Sequence, residues 1–233
     1  TKKETDLLDN FTFQDKIQFK HINFSFVNEK EILKDCNLTI NKGQIIGIKG
    51  ESGSGKTTLI DLLLGLYQPT SGNIFIDGII DFPMYQSWRN NIGYVSQSTY
   101  LIDDTIKKNI ALGIPEENID ESRIYQLLRQ VQLEKFINNL EIGINTKVGE
   151  RGTQLSGGQL QRIGIARALY NNPDILIFDE ATSALDTFTE KEVIDAIYNL
   201  KDDKTIIIIA HRLDTLKSCD IVYNIENGKA VLI

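Results

Sequence analysis

A glycine-rich loop over residues 50–57 has the clearest chemical use in this chain. Its residues are Gly50, Glu51, Ser52, Gly53, Ser54, Gly55, Lys56 and Thr57, between a short apolar run and a helical pattern. In such a P-loop the glycines let backbone N–H groups turn towards phosphates, the lysine reaches the β- and γ-phosphates, and the threonine can ligate Mg²⁺. The loop therefore predicts a nucleoside triphosphate site, to which we add Thr58 in the same helix turn. The alternative is an ordinary glycine-rich turn before a helix.

Two carboxylates and a histidine follow apolar runs further along the chain. Asp179 and Glu180 follow residues 175–178, and His211 follows residues 205–210. Runs that are apolar on both faces indicate buried parallel strands, and ligands bind beyond the carboxyl ends of such strands. We expect Asp179 to bind Mg²⁺ through water, Glu180 to act as general base, and His211 to contact the γ-phosphate or the attacking water. Alternatively, the acids cap a helix and the histidine is structural.

A glutamine lies at the end of another apolar run. Gln97 follows residues 92–96 and should share the edge of the sheet with the acids. Its amide can ligate Mg²⁺ or orient water, although polar residues are also common at strand ends.

A second glycine-containing segment precedes a predicted helix. It consists of Leu155, Ser156, Gly157, Gly158 and Gln159. Ser156 is a candidate N-cap, and the glycines leave backbone amides open to an anion. Because the segment lies in a helical region, we expect it to close on the nucleotide of a second copy. A head-to-tail homodimer would then enclose two nucleotides.

The order of patterns predicts an α/β fold. It comprises a P-loop NTPase core with a mostly parallel sheet, an N-terminal antiparallel β-subdomain and an inserted helical lobe. Alternating apolar residues indicate the first strands, and helical periodicity dominates from about residue 98 to residue 153. The predicted divisions are a linker at 1–15, the first part of the ATP-binding core at 16–97, the helical lobe at 98–165 and the second part of the core at 166–233.

Composition excludes several classes of protein. The net charge of −7 argues against a nucleic-acid-binding surface. Cys36 and Cys219 are far apart and form no metal-binding pattern, so we expect structural thiols in a reducing compartment. The apolar runs are shorter than the about 20 residues that cross a bilayer. The chain begins at Thr1 and its only methionine is Met84, so we expect a fragment of a longer polypeptide.

Together these motifs resemble the nucleotide-binding domain of ATP-binding cassette (ABC) transporters over nearly the whole chain. The matching segments are Walker A at Gly50–Thr57, the Q-loop at Gln97, the signature at Leu155–Gln159, Walker B at Ile175–Asp179 with Glu180 after it, the D-loop at Ser183–Asp186 and the switch histidine at His211. The resemblance implies that Glu180 and His211 act on the nucleotide of their own P-loop. It also implies that Asp186 crosses to the partner copy.

Other features resemble the exporter branch of this family. Val148–Gly152 resembles the exporter X-loop, which implies that this segment and Gln97–Asp104 face a membrane domain. Phe26 stands where the family usually has an adenine-stacking tyrosine, and it keeps the aromatic face for stacking. Its alternative role is in the core of the sheet. Residues 101–106 depart from the usual exporter pattern in a way similar to exporters of lipid-linked glycans.

The resemblance implies an ATPase that uses ATP and Mg²⁺ to drive export or flipping of a substrate. The membrane domain would be fused N-terminally, and the domain, itself soluble, would work at the cytoplasmic face of the cell (inner) membrane. One alternative is a soluble mechanochemical ABC ATPase, which needs a long coiled coil or two cassettes, whereas this chain has one copy of each motif. Another is a non-hydrolysing dimerisation module, which the complete set of Asp179, Glu180 and His211 disfavours.

Overall fold

The computed structural model describes residues 12–26, 30–80, 86–182, 185–200 and 204–233. The strands are β1 Lys16–Phe24, β2 Leu33–Asn41, β3 Ile45–Gly50, β4 Ser71–Ile76, β5 Ile79–Ile80, β6 Ile92–Val95, β7 Ile175–Asp179, β8 Thr205–Ile209, β9 Ile221–Glu226 and β10 Lys229–Leu232. The α-helices are α1 Lys56–Leu63, α2 Gln86–Asn90, α3 Ile106–Ile110, α4 Glu121–Gln130, α5 Glu134–Asn138, α6 Gly157–Leu169, α7 Thr187–Tyr198 and α8 Leu213–Leu216. Short 3₁₀ turns lie at Glu116–Asn118, Gly143–Asn145 and Glu150–Gly152.

The larger sheet has six strands in the order β10-β9-β3-β8-β7-β6. Its pairs are parallel except for the antiparallel pair of β9 and β10. The register pairs Ile48 of β3 with Ile209 of β8, and Ile209 with Asp179 of β7. The carboxyl ends of these strands therefore meet at one edge, where the P-loop begins.

The smaller sheet has four strands in the order β2-β1-β4-β5, all antiparallel. The register of β1 shifts around His21, whose φ of 53° is unusual within a strand. With the parallel sheet, this sheet confirms the predicted α/β class with an N-terminal antiparallel subdomain.

Two apolar clusters form the core. One contains the antiparallel sheet, α1 and one face of the parallel sheet, including Ile175 and Ile177. The other contains the opposite face, including Leu176 and Phe178, together with the buried residues of α3, α4 and α6. Residues of β7 therefore alternate between two apolar layers, as their uninterrupted apolar run predicts. The helical lobe shares its core with the sheet, and α6 continues past the predicted division at residue 165.

Helix ends follow local capping. Helix α1 ends at Leu63, and Gly65 follows with a φ of 68°. Helix α7 begins at Thr187 because Asp186 caps it. The predicted linker lies mostly outside the described residues, which begin at residue 12. Within the described ranges, no helix has the length and apolar character needed to cross a membrane.

Candidate functional site

The P-loop joins the end of β3 to the start of α1. Gly50 has a φ of 154°, and a Cβ at this position would lie 2.6 Å from the carbonyl oxygen of Ile225. Gly55, the N-cap of α1, has a φ of 106° and leaves the helix without a side-chain cap. The first-turn amides of a helix have no intrahelical acceptor. The uncapped start of α1 is therefore suited to an anion.

The polar groups of Lys56 and Ser54 are suited to a phosphate. Lys56 is buried, and its Nζ donates to the carbonyl oxygens of Gly50 and Glu51, both at 2.9 Å. The Ser54 hydroxyl is buried and has no hydrogen-bond partner among the described residues. Buried polar atoms are normally hydrogen-bonded. A phosphate oxygen in the loop would satisfy this hydroxyl and give the ammonium group an anionic partner.

A cleft of about 740 Å³ lies beside residues 50–54 of the P-loop. Residues 49–54, His211, Leu213 and residues 224–227 line it. Its volume lies in the range of small-molecule sites, roughly 300–1,000 Å³. The turn between β9 and β10, which sequence reasoning did not single out, forms one wall.

Glu180 and His211 form a direct pair at the edge of the sheet. The His211 Nε2 lies 2.6 Å from the Glu180 Oε1. Glu180 has a φ of 50°, and its backbone N–H donates to Ile209 O at 3.0 Å. A non-glycine residue in this conformation is strained, and such strain is most often found at functional sites. The structure thus brings together the predicted base and the predicted histidine.

Asp179 lies between acidic and basic neighbours. Burial raises the pKa of its carboxyl group and the charge of Glu180 raises it further, whereas a hydrogen bond from Tyr94 and the charge of Lys56 lower it. The Tyr94 hydroxyl donates to Asp179 Oδ2 at 2.9 Å. Burial and the Asp179 charge also raise the pKa of Asp61. Clustered carboxyl groups of this kind are stabilised by a cation.

The other candidate metal ligands lie on neighbouring elements. Thr57 is exposed in the first turn of α1, Thr58 beside it is buried, and Gln97 is exposed just beyond β6. Because β6 pairs with β7, Gln97 and Asp179 lie at the carboxyl ends of adjacent strands. Hydroxyl, amide and carboxylate oxygens are ligands that Mg²⁺ prefers, so this donor set fits the predicted ion.

The Ser156–Gln159 segment starts helix α6. Ser156 is the N-cap, and it forms a capping box in which its hydroxyl accepts from Gln159 N and its N–H donates to Gln159 Oε1. Ser156 and Gly157 are exposed, whereas Gly158 is buried against Thr189 of α7. The residues that line the cleft do not include this segment.

Asp186 has a clear role within its own chain. Its Oδ1 accepts the backbone N–H groups of Phe188 and Thr189, both at 3.1 Å. Hydrogen bonding to Thr189 is the main reason that the pKa of this carboxyl group is lowered. The D-loop residues Ser183 and Ala184 lie outside the described residues. Asp186 therefore fixes the start of α7 beside the site.

Phe26 belongs to an aromatic cluster rather than to the lining of the cleft. Its ring makes edge-on contacts with Phe24, at 5.1 Å between centroids, and with Tyr67, at 5.4 Å. Phe26 and Tyr67 are 36% and 44% exposed. An exposed ring remains available for stacking.

The two segments predicted to face a membrane domain lie against each other. The N–H of Val148 donates to Asp104 O at 3.1 Å, and Thr105 pairs with Lys147. Leu101 is buried, whereas its neighbour Tyr100 is 61% exposed. Residues 97–104 and 148–152 therefore contribute to one surface.

The chain is similar in sequence and fold to known proteins. The model of the ABC transporter family matches residues 33–183. Two proteins of Staphylococcus aureus, named as multidrug export ATP-binding/permease proteins, are 48% identical (strain bovine RF122 / ET3-1) and 47% identical (strain NCTC 8325 / PS 47) over 221 residues. Each alignment covers 94% of this chain and 38% of the relative. A solved structure of a bacterial Atm1-family ABC exporter with ATP bound is 36% identical with a TM-score of 0.85, covering 95% of this chain and 39% of that chain.

Proposed function

This chain belongs to the ABC transporter family as a nucleotide-binding domain of the exporter type, a family of ATPases. We propose that it binds ATP at the P-loop and hydrolyses it with Glu180 as general base. The observation that carries this proposal is the 2.6 Å pair of Glu180 and His211. Both residues lie at the sheet edge from which the P-loop emerges, where a γ-phosphate would project.

The proposed reaction is attack of water on the γ-phosphorus. Glu180 accepts a proton from the water as the new P–O bond forms, and the bond to the β–γ bridging oxygen breaks with its electron pair leaving on ADP. His211 holds the Glu180 carboxylate and contacts the γ-phosphate. Lys56 leaves the loop carbonyls for the phosphate oxygens. Mg²⁺, held by Thr57, Gln97 and, through water, Asp179, would neutralise charge on the β- and γ-phosphates.

Replacement of the base tests the catalytic proposal. Glu180→Gln should lower ATP turnover by roughly 100-fold or more, since general base catalysis contributes about 10²–10⁴-fold. Glu134→Gln, the same exchange at an exposed ion pair with Arg129, is the matched control. Equal turnover in the Glu180 variant and wild type would refute the role.

Replacement of the P-loop lysine tests nucleotide binding. Lys56→Ala should abolish productive binding of a fluorescent ATP analogue, and an unchanged affinity would contradict the P-loop assignment.

A head-to-tail homodimer around two Mg-ATP is part of the proposal. Exposed Ser156 and Gly157 present the start of α6 away from their own cleft, which supports a role in closing the site of another copy. Glu180→Gln with Mg-ATP should elute as a dimer in size-exclusion chromatography. Adding Ser156→Arg should return it to a monomer, because a bulky side chain would obstruct the anion site. Persistence of the dimer in the double variant would contradict the signature contact.

We further propose coupling to a membrane domain at the cytoplasmic face of the cell membrane. The relatives are more than twice as long as the matched region and carry the word permease in their names. The joint surface of residues 97–104 and 148–152 supports a docking face. For the substrate we favour the drug-like molecules in the names of the relatives over the lipid-linked glycan predicted from residues 101–106. An antibody to this domain should detect a membrane band far larger than 26.3 kDa, whereas a cytosolic band near that mass would contradict a fused transporter.

A further inference from the structure

Glu190 is a buried carboxylate outside the cleft. It lies in the first turn of α7 and is only 9% exposed. Its Oε1 accepts hydrogen bonds from Thr182, at 3.1 Å, and Thr215, at 3.2 Å. Its Oε2 pairs with the Arg212 guanidinium. A buried carboxylate is tolerated when it is paired and hydrogen-bonded in this way, so the three donors together stabilise it.

Two of the three donors, Thr182 and Arg212, lie on the two segments that carry the Glu180–His211 pair. Thr182 is two residues beyond Glu180, and Arg212 directly follows His211. Thr215 lies in α8, just after that segment. A cavity of about 230 Å³ is lined by both members of the pair and by the residues of this cluster. The carboxylate therefore joins the segment after β7, the segment after β8 and α7.

Both members of the pair need such support. Glu180 has a strained backbone with a φ of 50°, and His211 lies beyond the last residue of β8, where the sheet no longer fixes the chain. Strained conformations persist only where the surrounding structure determines them. The His211 side chain is 48% exposed, so its own packing restrains it little.

We propose that Glu190 is a positioning residue for ATP hydrolysis. By holding Thr182 and Arg212 together, it fixes the distance and orientation between Glu180 and His211. This inference rests on the catalytic role proposed for that pair. Glu190 touches neither nucleotide nor water in this scheme, so its loss should affect the rate of the chemical step and leave ATP binding intact.

The test uses Glu190→Gln in the full 233-residue chain, with kcat measured separately from the affinity for a fluorescent ATP analogue. Misplacement of catalytic groups by about 1 Å costs up to roughly 100-fold in rate, so we expect kcat to fall by about tenfold or more with unchanged ATP affinity. Glu190→Asp, which keeps the charge, should recover part of this loss. Asp195→Asn, an exposed carboxylate on the same helix, should match wild type.

A double-mutant cycle tests whether Glu190 acts through Arg212. Arg212→Met should also lower kcat, and its combination with Glu190→Gln should be no worse than the more damaging single variant, because both break one interaction. Arg212 is half-exposed, and the hydrogen bonds of Thr182 and Thr215 to Glu190 remain in the Arg212 variant, so this arm decides the question even where Glu190→Gln fails to fold. Wild-type kcat in the folded Glu190 or Arg212 variant, with Glu180→Gln inactive, would overturn the positioning role alone. Wild-type turnover in Glu180→Gln would instead overturn the proposed function.

Discussion

The contact between Gly158 and Thr189 allows a sharp prediction about packing. Gly158 is buried in the first turn of α6, and a Cβ there would lie closer than 3.0 Å to the Thr189 γ-methyl. Thr189 is β-branched, and hydrogen bonds to Asp186 hold its backbone and side chain. The threonine therefore cannot easily rotate away. Gly158→Ala should force α6 and α7 apart.

The expected loss of folding stability is the difference between two free-energy terms. Overpacking a well-packed contact costs about 1–3 kcal/mol. Alanine recovers at most about 1 kcal/mol because it is a better helix former than glycine. So close a contact with a branched side chain belongs in the upper part of the overpacking range, about 2–3 kcal/mol. A net loss of about 1–2 kcal/mol therefore remains, and for a chain of this size each kcal/mol lowers Tm by roughly 2–4 °C. We therefore expect Gly158→Ala to lower Tm by about 2–8 °C.

The adjacent glycine supplies the control. A Cβ at Gly157 would meet Leu185 Cδ2 at 3.3 Å, and the end of a leucine side chain can shift by a few tenths of an ångström. Gly157→Ala should therefore leave Tm unchanged or raise it. Thermal unfolding followed by circular dichroism measures both variants. Adding Thr189→Ser to Gly158→Ala removes the obstructing methyl and keeps the hydroxyl, so Tm should recover. Equal Tm values for the two alanine variants, or no recovery in the double variant, would refute the packing argument.

Three further predictions concern single side chains. Tyr94→Phe removes the 2.9 Å hydrogen bond to Asp179. Because Tyr94 is 41% exposed, we expect the Mg²⁺ concentration for half-maximal ATPase activity to rise by at most about fivefold, which corresponds to about 1 kcal/mol of binding free energy. An unchanged Mg²⁺ dependence would show that water replaces the hydroxyl fully. Burial raises the pKa of Cys36 to about 11, so its thiol stays protonated at pH 8 and iodoacetamide should label it far more slowly than in the urea-unfolded chain. Equal rates would contradict its burial. Trp88, the only tryptophan, is fully buried and donates to Leu63 O at 2.7 Å, so its fluorescence should be blue-shifted and resist acrylamide until the chain unfolds. Quenching of the native chain at the rate of free tryptophan would contradict this position.

The parallel sheet was predictable because its strands are buried on both faces. Residues 175–178 and 206–209 are uninterrupted apolar runs, and the structure distributes them between two apolar clusters. The order of the motifs along the chain then predicted which polar residues lie at the ends of these strands. What the pattern could not provide was the exact start of α7, which is set by the capping hydrogen bonds of Asp186.

The contacts of Tyr94 and Glu190 were not predicted. Tyr94 reaches Asp179 across 85 positions of sequence, and no local pattern specifies such a pairing. Glu190, in contrast, left a signal. It falls three and seven residues before Val193 and Ile197, both fully buried, so a charged residue occupies the apolar face of α7. A carboxylate in that position predicts a buried partner, although only the fold identifies it as Arg212.

The two kinds of site residue owe their positions to different forces. Asp179 is the last residue of β7 and is fixed by its register with Ile209. Glu180 and His211 lie beyond the strands, so backbone pairing no longer determines where their side chains point. Their separation then depends on side-chain contacts such as that of Glu190 with Arg212. The motifs therefore specify which groups act and at which edge, while the geometry of the pair depends on a helix that contributes no residue to the cleft lining.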